Sequence, residues 1–328
     1  MARLKYYDSL EEKAHFFNQW DIRTKNELEE VFKKFKENES NDPKQFIFRG
    51  VGNASYKLYN SAQRAWITKE LDNIGTYTDT IQSLIDNAKT WQDNLLTKYY
   101  SSFGHYPYDF SILSFLQHYG CPTPLQDWTY SIDRALYFCI DRAKSNFESD
   151  RDVDNYFSIY CIDLEKSREL TRLGAYLSET FEKVQKIINE SPEVDSREVE
   201  MQFKTHNYTK IQELTLGLID DQDNKFSQLF SFYSTTNLNV INQKGLFVFS
   251  NSANEPLEKI FKGKLEEGDT FHLPKITCIN IHKNLTDYVK RKITEERQKL
   301  GKLALTREYI YPQEENIAAK AFENYLKR

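Results

Sequence analysis

The stretch Phe46-Ile-Phe-Arg-Gly50 predicts a short apolar strand that ends in an arginine and a glycine. An arginine at the end of such a strand points toward a sheet edge, where a cleft can form. Its guanidinium is a planar fork of donors that suits a diphosphate or a carboxylate, and Gly50 permits close approach of a ligand or of backbone. A structural arginine that pairs with a buried carboxylate such as Asp127 explains the stretch equally well, so both interpretations stay open.

A second informative stretch lies further along the chain and is rich in polar groups. His118 precedes a turn that Gly120 and Pro122 enforce, and Ser131 precedes a predicted helix. Single members have ordinary structural explanations, because a serine caps helices and an aspartate such as Asp127 accepts from turn amides. The cluster is therefore more informative than any one residue. The full stretch is Phe115-Leu-Gln-His-Tyr-Gly-Cys-Pro-Thr-Pro-Leu-Gln-Asp-Trp-Thr-Tyr-Ser131.

Long predicted helices separate short predicted strands along the rest of the chain. Capping-box patterns at 9–12 and 24–27 predict an N-terminal helical segment at residues 1–44. An amphipathic helix is predicted from Thr78 to Tyr99, and strands are predicted near 156–164, 245–250 and 276–282. This order of elements predicts an α+β fold. Residues 45–328 are expected to form one domain, with a charged helical insertion at 165–232.

Composition narrows the class of protein. The formal charge is −5 over 328 residues, whereas a protein that binds nucleic acid through its overall field is usually basic. A local basic cleft stays open as an alternative. The four cysteines are far apart and no pair has zinc-ligand spacing, so we expect free thiols in a reducing compartment and no metal. No segment resembles a signal peptide, and no run approaches the roughly 20 apolar residues of a membrane span. These features predict a cytoplasmic protein without a membrane partner.

Three groups of motifs stand out along the chain. They are Phe48-Arg49-Gly50 followed by Arg64; Gln117-His118-Tyr119-Gly120, Pro122-Thr123, Asp127-Trp128-Thr129 and Ala135-Leu136-Tyr137-Phe138; and Gln243-Lys-Gly245-Leu-Phe247. Together they resemble the motifs of the FRG-domain family. Departures from the family pattern fall at Pro124, where arginine is frequent, at Gln126, where leucine is frequent, and at Asn239, where an arginine is common. A looser similarity continues through the segment that starts at Ile310.

The order of these motifs is similar to that of the ADP-ribosyltransferases. The resemblance implies a split, mostly antiparallel sheet flanked by helices, and a cleft for NAD. In such a cleft Arg49 and Gly50 would hold the diphosphate, Trp128 would stack on nicotinamide, and Thr129 and Ser131 would brace the pocket. The transferases place a glutamate near a late strand, where this chain offers Gln243.

Gln243 separates two of the functions that the resemblance allows. Cleavage of the nicotinamide–ribose bond builds positive charge that a carboxylate stabilises and an amide does not. The pair Glu198 and Glu200 resembles the transferases' Glu-x-Glu but is interpreted as a solvated charge cluster.

The first hypothesis is an ADP-ribosyltransferase or NAD glycohydrolase whose catalytic residues are Arg49, His118, Asp127 and Gln243. The second is a non-catalytic module that senses a nucleotide. A nuclease-like toxin ranks last, because no metal motif or histidine pair is present. Any protein or nucleic-acid target of an enzyme is left open, and the resemblance also implies a toxin or phage-defence role.

Overall fold

A seven-stranded sheet forms the centre of the molecule. The computed structural model describes residues 4–102, 108–141, 148–167, 216–219, 238–262 and 274–313, together with single positions and short pieces in 170–199 and 317–323. The spatial order of the strands is β1-β7-β4-β2-β3-β6-β5. The strands are β1 Asn18–Ile22, β2 Phe46–Val51, β3 Leu125–Thr129, β4 Tyr156–Asp163, β5 Leu216–Ile219, β6 Gly245–Ser250 and β7 Thr277–His282.

The sheet is mixed but mostly antiparallel. Among the strands that the structure describes, only β1 and β7 pair in parallel, with Asn18 opposite Thr277, and the other pairings are antiparallel. The pairing of β2 with β3 is limited to Phe48 and Thr129, although β3 pairs with β6 along its whole length. Thr129 is the last residue of β3, so the two strands are unpaired along the rest of β3, which leaves room for a cavity beside Arg49.

Helices cover both faces of the sheet, so the α+β class is confirmed. The helices are α1 Leu10–Ala14, α2 Lys25–Asn41, α3 Ser61–Thr68, α4 Tyr77–Ser102, α5 Asp109–His118, α6 Ile132–Ile140, α7 Leu238–Gln243, α8 Leu257–Lys262, α9 Thr286–Arg291, which Lys292–Glu296 and Arg297–Lys299 continue, and α10 Arg307–Ile310. The longest of them, α4, has non-helical backbone from Trp91 to Asn94. Trp91 is 61% exposed, so the amphipathic helix predicted from Thr78 to Tyr99 is interrupted at this point.

The start of α2 follows its sequence signal closely. The hydroxyl of Thr24 accepts from the amide of Glu27, and the carboxylate of Glu27 accepts in return from the amide of Thr24. The start of α1 has half of this arrangement, because Ser9 accepts from Glu12 while the Glu12 carboxylate binds the amide of Asp8. A capping box satisfies amides that have no partner inside the helix.

Two segments differ in content from the expected domain plan. Residues 1–44 were expected to be helical, but Asn18–Ile22 form the edge strand β1, because pairing with β7 satisfies their backbone groups. Most of the expected helical insertion at 165–232 lies outside the described residues, as do Glu198 and Glu200, and residues 216–219 within it form β5. Within the described part of the chain, no helix is long and apolar enough to cross a membrane.

The core is divided by the sheet into aromatic-rich clusters. On one face, α2 and α6 bury Phe35 and Leu136 against Phe48 and Ile279. On the other face, residues from the N-terminal segment and α8 pack against β4 and β6, with Tyr160 at 0% exposure. A third cluster joins α3, α4 and α5 to the outer strands β3 and β6. Together they hold β2, β3 and α5 in the positions that form the cavity described next.

Candidate functional site

A cavity of about 710 Å³ lies where β2 and β3 are unpaired, between α5, α6 and α7. Its wall includes Arg49, His118, Asp127 and Gln243. These are the four residues to which the sequence assigned chemistry, and they come from four different elements. The structure thus brings the four together on one cavity, while their chemical roles stay predictions.

Arg49 contributes a guanidinium that the protein uses only in part. An NH1 hydrogen is donated to the backbone carbonyl of Asp127, and the buried Nε has no partner among the described residues. A guanidinium has five N–H donors, so most of them are available to a ligand. Burial lowers the pKa of Arg49, and the nearby Arg64 lowers it further, while Asp127 opposes the change.

The Asp127 carboxylate is not the partner of Arg49 in a side-chain ion pair. Asp127 is exposed on β3, and its Oδ2 accepts from Nε2 of Gln117 at 2.9 Å. Gln117 is oriented in turn, because its Oε1 accepts from Ser61 at 3.2 Å and from Thr123 at 2.6 Å. The interpretation of Arg49 as a partner of a buried Asp127 carboxylate is therefore wrong, and the cavity wall carries a carboxylate in a fixed orientation.

His118 lies at the last position of α5 and contacts the facing helix α7. Its Nδ1 is 3.2 Å from Nδ2 of Asn239. When Asn239 donates to Nδ1, the imidazole is the neutral tautomer that carries its proton on Nε2. Asn239, noted in the sequence only as a departure from the family pattern, is thus a direct neighbour of the candidate histidine.

Gln243 is held by the C-terminal part of the chain. The side-chain Nε2 of Gln243 donates to the backbone carbonyl of Ile310 at 3.2 Å. The backbone carbonyl of Gln243 accepts from Oγ1 of Thr129 at 2.7 Å. The neighbouring Asn242 donates to the carbonyl of Tyr309 at 2.6 Å. The side-chain amide of Gln243 therefore has a structural partner, and Thr129 links the end of α7 to β3.

The remaining residues predicted to bind a ligand, Gly50, Trp128 and Ser131, are packed against other parts of the protein. A Cβ at Gly50 would lie 1.9 Å from the carbonyl oxygen of Ala135, so this glycine lets α6 approach β2. Trp128 is 2% exposed, and stacking on a ligand would require it to move. Ser131 is 1% exposed, begins α6 without a side-chain cap, and is not part of the cavity wall.

Other wall residues were not singled out by the sequence. Asp141 lines the cavity, and its carboxylate accepts from the Tyr137 hydroxyl at 2.8 Å and lies 3.6 Å from Arg307. Tyr311 lines it from the C-terminal side, one position after Ile310. The loose C-terminal similarity was a signal for Tyr311, whereas nothing in the local sequence marked Asp141. No cluster of metal-binding side chains occurs among the residues that the structure describes.

Comparison with known proteins identifies the class of domain. Residues 44–148 match the family model of the FRG domain, so this chain contains an FRG domain. The matched range covers Arg49, His118 and Asp127 but not Gln243. No curated protein and no solved structure matches the chain.

Proposed function

We propose that the cavity binds an anionic nucleotide, with NAD as the ligand and Arg49 as the anchor of its phosphates. The observation that carries the proposal is the guanidinium of Arg49, most of whose donors have no protein partner in the described part of the chain. A volume of about 710 Å³ lies within the range of roughly 300–1,000 Å³ that small-molecule sites occupy. Because the whole chain is acidic, an anion must be held by local donors such as this one.

We further propose that the site is that of an ADP-ribosyltransferase-like enzyme, either a transferase or an NAD glycohydrolase. Cleavage of the nicotinamide–ribose bond needs a carboxylate near the developing positive charge. The Gln243 amide is bonded to Ile310, whereas the Asp127 carboxylate is exposed in the cavity wall and oriented by Gln117. Asp127 is thus the candidate for this role. A toxin or phage-defence role is carried over from the family resemblance.

The second candidate function is a nucleotide-sensing module without turnover. It is favoured by Gln243, which stands near the position where the transferases have a glutamate and whose amide already has a partner. Sensing requires the anion anchor but no carboxylate at the ribose. The two functions therefore predict the same effect for Arg49 and different effects for Asp127.

Calorimetric titration with NAD, ADP-ribose and ATP tests the anchor. A charge-assisted hydrogen bond contributes roughly 1.5–3 kcal/mol, so Arg49→Ala should weaken binding about ten- to a hundredfold. Arg49→Lys should recover only part of the affinity, because an ammonium cannot make a planar bidentate contact. Arg23→Ala, which removes an arginine whose side chain is 64% exposed, is the matched control. Equal binding by all four proteins would exclude Arg49, and no binding by the wild type would reject the nucleotide proposal.

Release of nicotinamide from NAD then separates the enzyme from the sensor. Asp127→Asn keeps the size of the side chain and an oxygen that can accept from Gln117. An enzyme that uses Asp127 should lose about a hundred- to a thousandfold in turnover, since stabilisation of a transition-state charge by one group is worth roughly 3–4 kcal/mol. Binding of NAD should change by less than about threefold. Binding without any release of nicotinamide by the wild type would support the sensor instead.

A further inference from the structure

A second cavity, of about 750 Å³, lies at another part of the sheet. It is formed by the starts of β1, β2 and β7, the end of β4, and α2. None of its described wall residues belongs to the Arg49 cavity. On β2, Phe46 lines this cavity and Arg49 lines the other, and three residues of strand span about 10 Å. The two cavities are separate places for a ligand.

Two polar atoms in the wall of this second cavity are buried without a hydrogen-bond partner in the described part of the protein. One is Oγ of Ser167, a residue that is 2% exposed. The other is Oε1 of Gln19, whose Nε2 donates to Asp21 at 3.1 Å. Buried polar groups in folded proteins are hydrogen-bonded in the large majority of cases. A hydroxyl and an amide oxygen left over on the same wall indicate a ligand that can donate hydrogen bonds.

Aromatic side chains form another part of this wall. Trp20 and Phe46 are partly exposed, and Phe35 packs between them at ring-centroid distances of 6.2 and 5.4 Å. The ammonium of Lys34 lies 4.8 Å from the centroid of the Trp20 ring, which places a cation beside the ring surface. Ring surfaces of this kind pack against planar groups. The wall therefore offers a place for a planar ring.

The charges of the wall favour a negatively charged group on the ligand. Three lysines and two carboxylates give a formal charge of +1. Asp163 lies 3.5 Å from Lys166, and Glu165 accepts from a glutamine at 3.4 Å. The exposed Lys275 has no ion-pair partner among the described residues. A lysine in the cavity wall that has no ion-pair partner in the described part of the chain is a suitable contact for an anion.

We propose that this second cavity is a binding site for a small anion that carries a planar ring and at least one hydrogen-bond donor. A nucleoside monophosphate and an aromatic carboxylic acid with a ring N–H both have this chemistry. The proposal goes beyond the Arg49 site and does not depend on it. Occupation would satisfy Ser167 and Gln19, place the ring against Trp20 and Phe46, and bring the negative group to Lys275.

Titration calorimetry of the whole chain with AMP and with indole-3-acetate tests this site. At least one of the two probes should bind the wild type. Tighter binding of AMP would indicate a nucleoside monophosphate as the ligand, and tighter binding of indole-3-acetate would indicate an aromatic carboxylic acid. Ser167→Ala should weaken binding about three- to tenfold, since a neutral hydrogen bond contributes roughly 0.5–1.5 kcal/mol. Lys275→Ala should weaken it by about two- to fivefold, because an ion pair at an exposed lysine contributes up to about 1 kcal/mol. Ser40→Ala, at an exposed serine of α2, should have no effect.

Arg49→Ala decides which cavity the probe occupies. The affinity of the second cavity for the probe should be the same in Arg49→Ala as in the wild type, even if the variant has lost affinity for NAD. Gln19→Leu gives an independent check, because it removes the unpartnered amide oxygen without touching Ser167. The proposal is overturned if neither probe binds, or if Ser167→Ala and Gln19→Leu both bind as the wild type does. It is also overturned if Arg49→Ala abolishes binding of the probe.

Discussion

Lys13 and Arg49 are two cations held against the same sheet, and the protein supplies them with very different numbers of acceptors. Lys13 is 0% exposed, and its Nζ donates to the carbonyl of Ala54 at 2.9 Å, to Ser158 at 2.8 Å and to Asn280 at 2.8 Å. These are all the donors that an ammonium has. Arg49 has five donors and gives one of them to the carbonyl of Asp127.

This difference separates polar groups that serve the structure from polar groups that are available to a ligand. Around Lys13 the polar groups satisfy one another, and Tyr7 and Glu258 extend the same pattern with a hydrogen bond of 2.5 Å. Around Arg49 the donors outnumber the acceptors and a cavity adjoins them. The cluster around Lys13 is saturated, in the sense that all three donors of the ammonium have protein acceptors. It fixes α1 to the sheet and offers no free Lys13 donor to a ligand. An unsaturated cluster is costly in isolation and becomes favourable when a ligand binds.

The largest effect is expected at Gly50, next to Arg49 on β2. A Cβ at this position would lie 1.9 Å from backbone of α6, so Gly50→Ala must push helix and strand apart. We expect the free energy of unfolding to fall by about 3 kcal/mol, the upper end of the usual cost of overpacking, as measured by urea denaturation. Gly75→Ala is the matched control, because a Cβ there meets nothing within 4 Å. Equal stability of the two variants would show that the FRG glycine is not a packing requirement.

The direct comparison of Lys13→Met with Arg49→Met comes next. Lys13→Met leaves three buried acceptors without their donor, and we expect a loss of about 2–3 kcal/mol in the free energy of unfolding. Arg49→Met should cost less than about 1 kcal/mol, because it removes one hydrogen bond and also a buried cation next to Arg64. Urea denaturation of both measures the difference. Lys33→Met, at a side chain that is 78% exposed, gives the baseline. Equal losses at Lys13 and Arg49 would remove the distinction between the two regions.

The smallest effect is a pH dependence in the saturated region. Burial raises the pKa of the Glu258 carboxyl above its ordinary value of 4.5, although Tyr7 and the Leu58 amide bond to it. Between these two values the native state binds a proton that the unfolded state releases. The stability from this group is therefore complete below 4.5 and is lost as the pH rises through the raised pKa.

Glu258→Gln isolates this contribution because the amide does not titrate. The stability of the wild type relative to Glu258→Gln should increase as the pH is lowered toward 4.5, by about 1.4 kcal/mol for each unit by which the pKa is raised. Denaturation in urea at a series of pH values measures it. Glu11→Gln, on the exposed side of α1, is the control and should show no such trend. A difference that is constant with pH would contradict the raised pKa.

Part of the candidate site was predictable from the sequence. Arg49 and Gly50 end an apolar run, and His118 and Asp127 lie in one polar stretch, so local pattern was enough to select them. The partners that decide their roles were not predictable. Gly50 meets α6, the Arg49 guanidinium donates to a carbonyl and not to a carboxylate, and the Gln243 amide binds Ile310. All three contacts join residues that are distant in the chain.

Many helices and strands of this protein could be predicted from local sequence, because helix caps, apolar periodicity and turn residues act between neighbours in the chain. The edge strand β1 could not, because it forms by pairing with the distant β7. Local sequence determined the α+β class, the capping box at Thr24 and the strand that carries Arg49. Which polar groups have hydrogen-bond partners could be seen only in the folded structure. Nothing in the sequence around Lys13 indicated that its ammonium is buried. Nothing in the sequence around Ser167 and Gln19 indicated that these residues line a second cavity. Burial and hydrogen-bond partners depend on contacts across the sheet, and the local sequence does not contain that information.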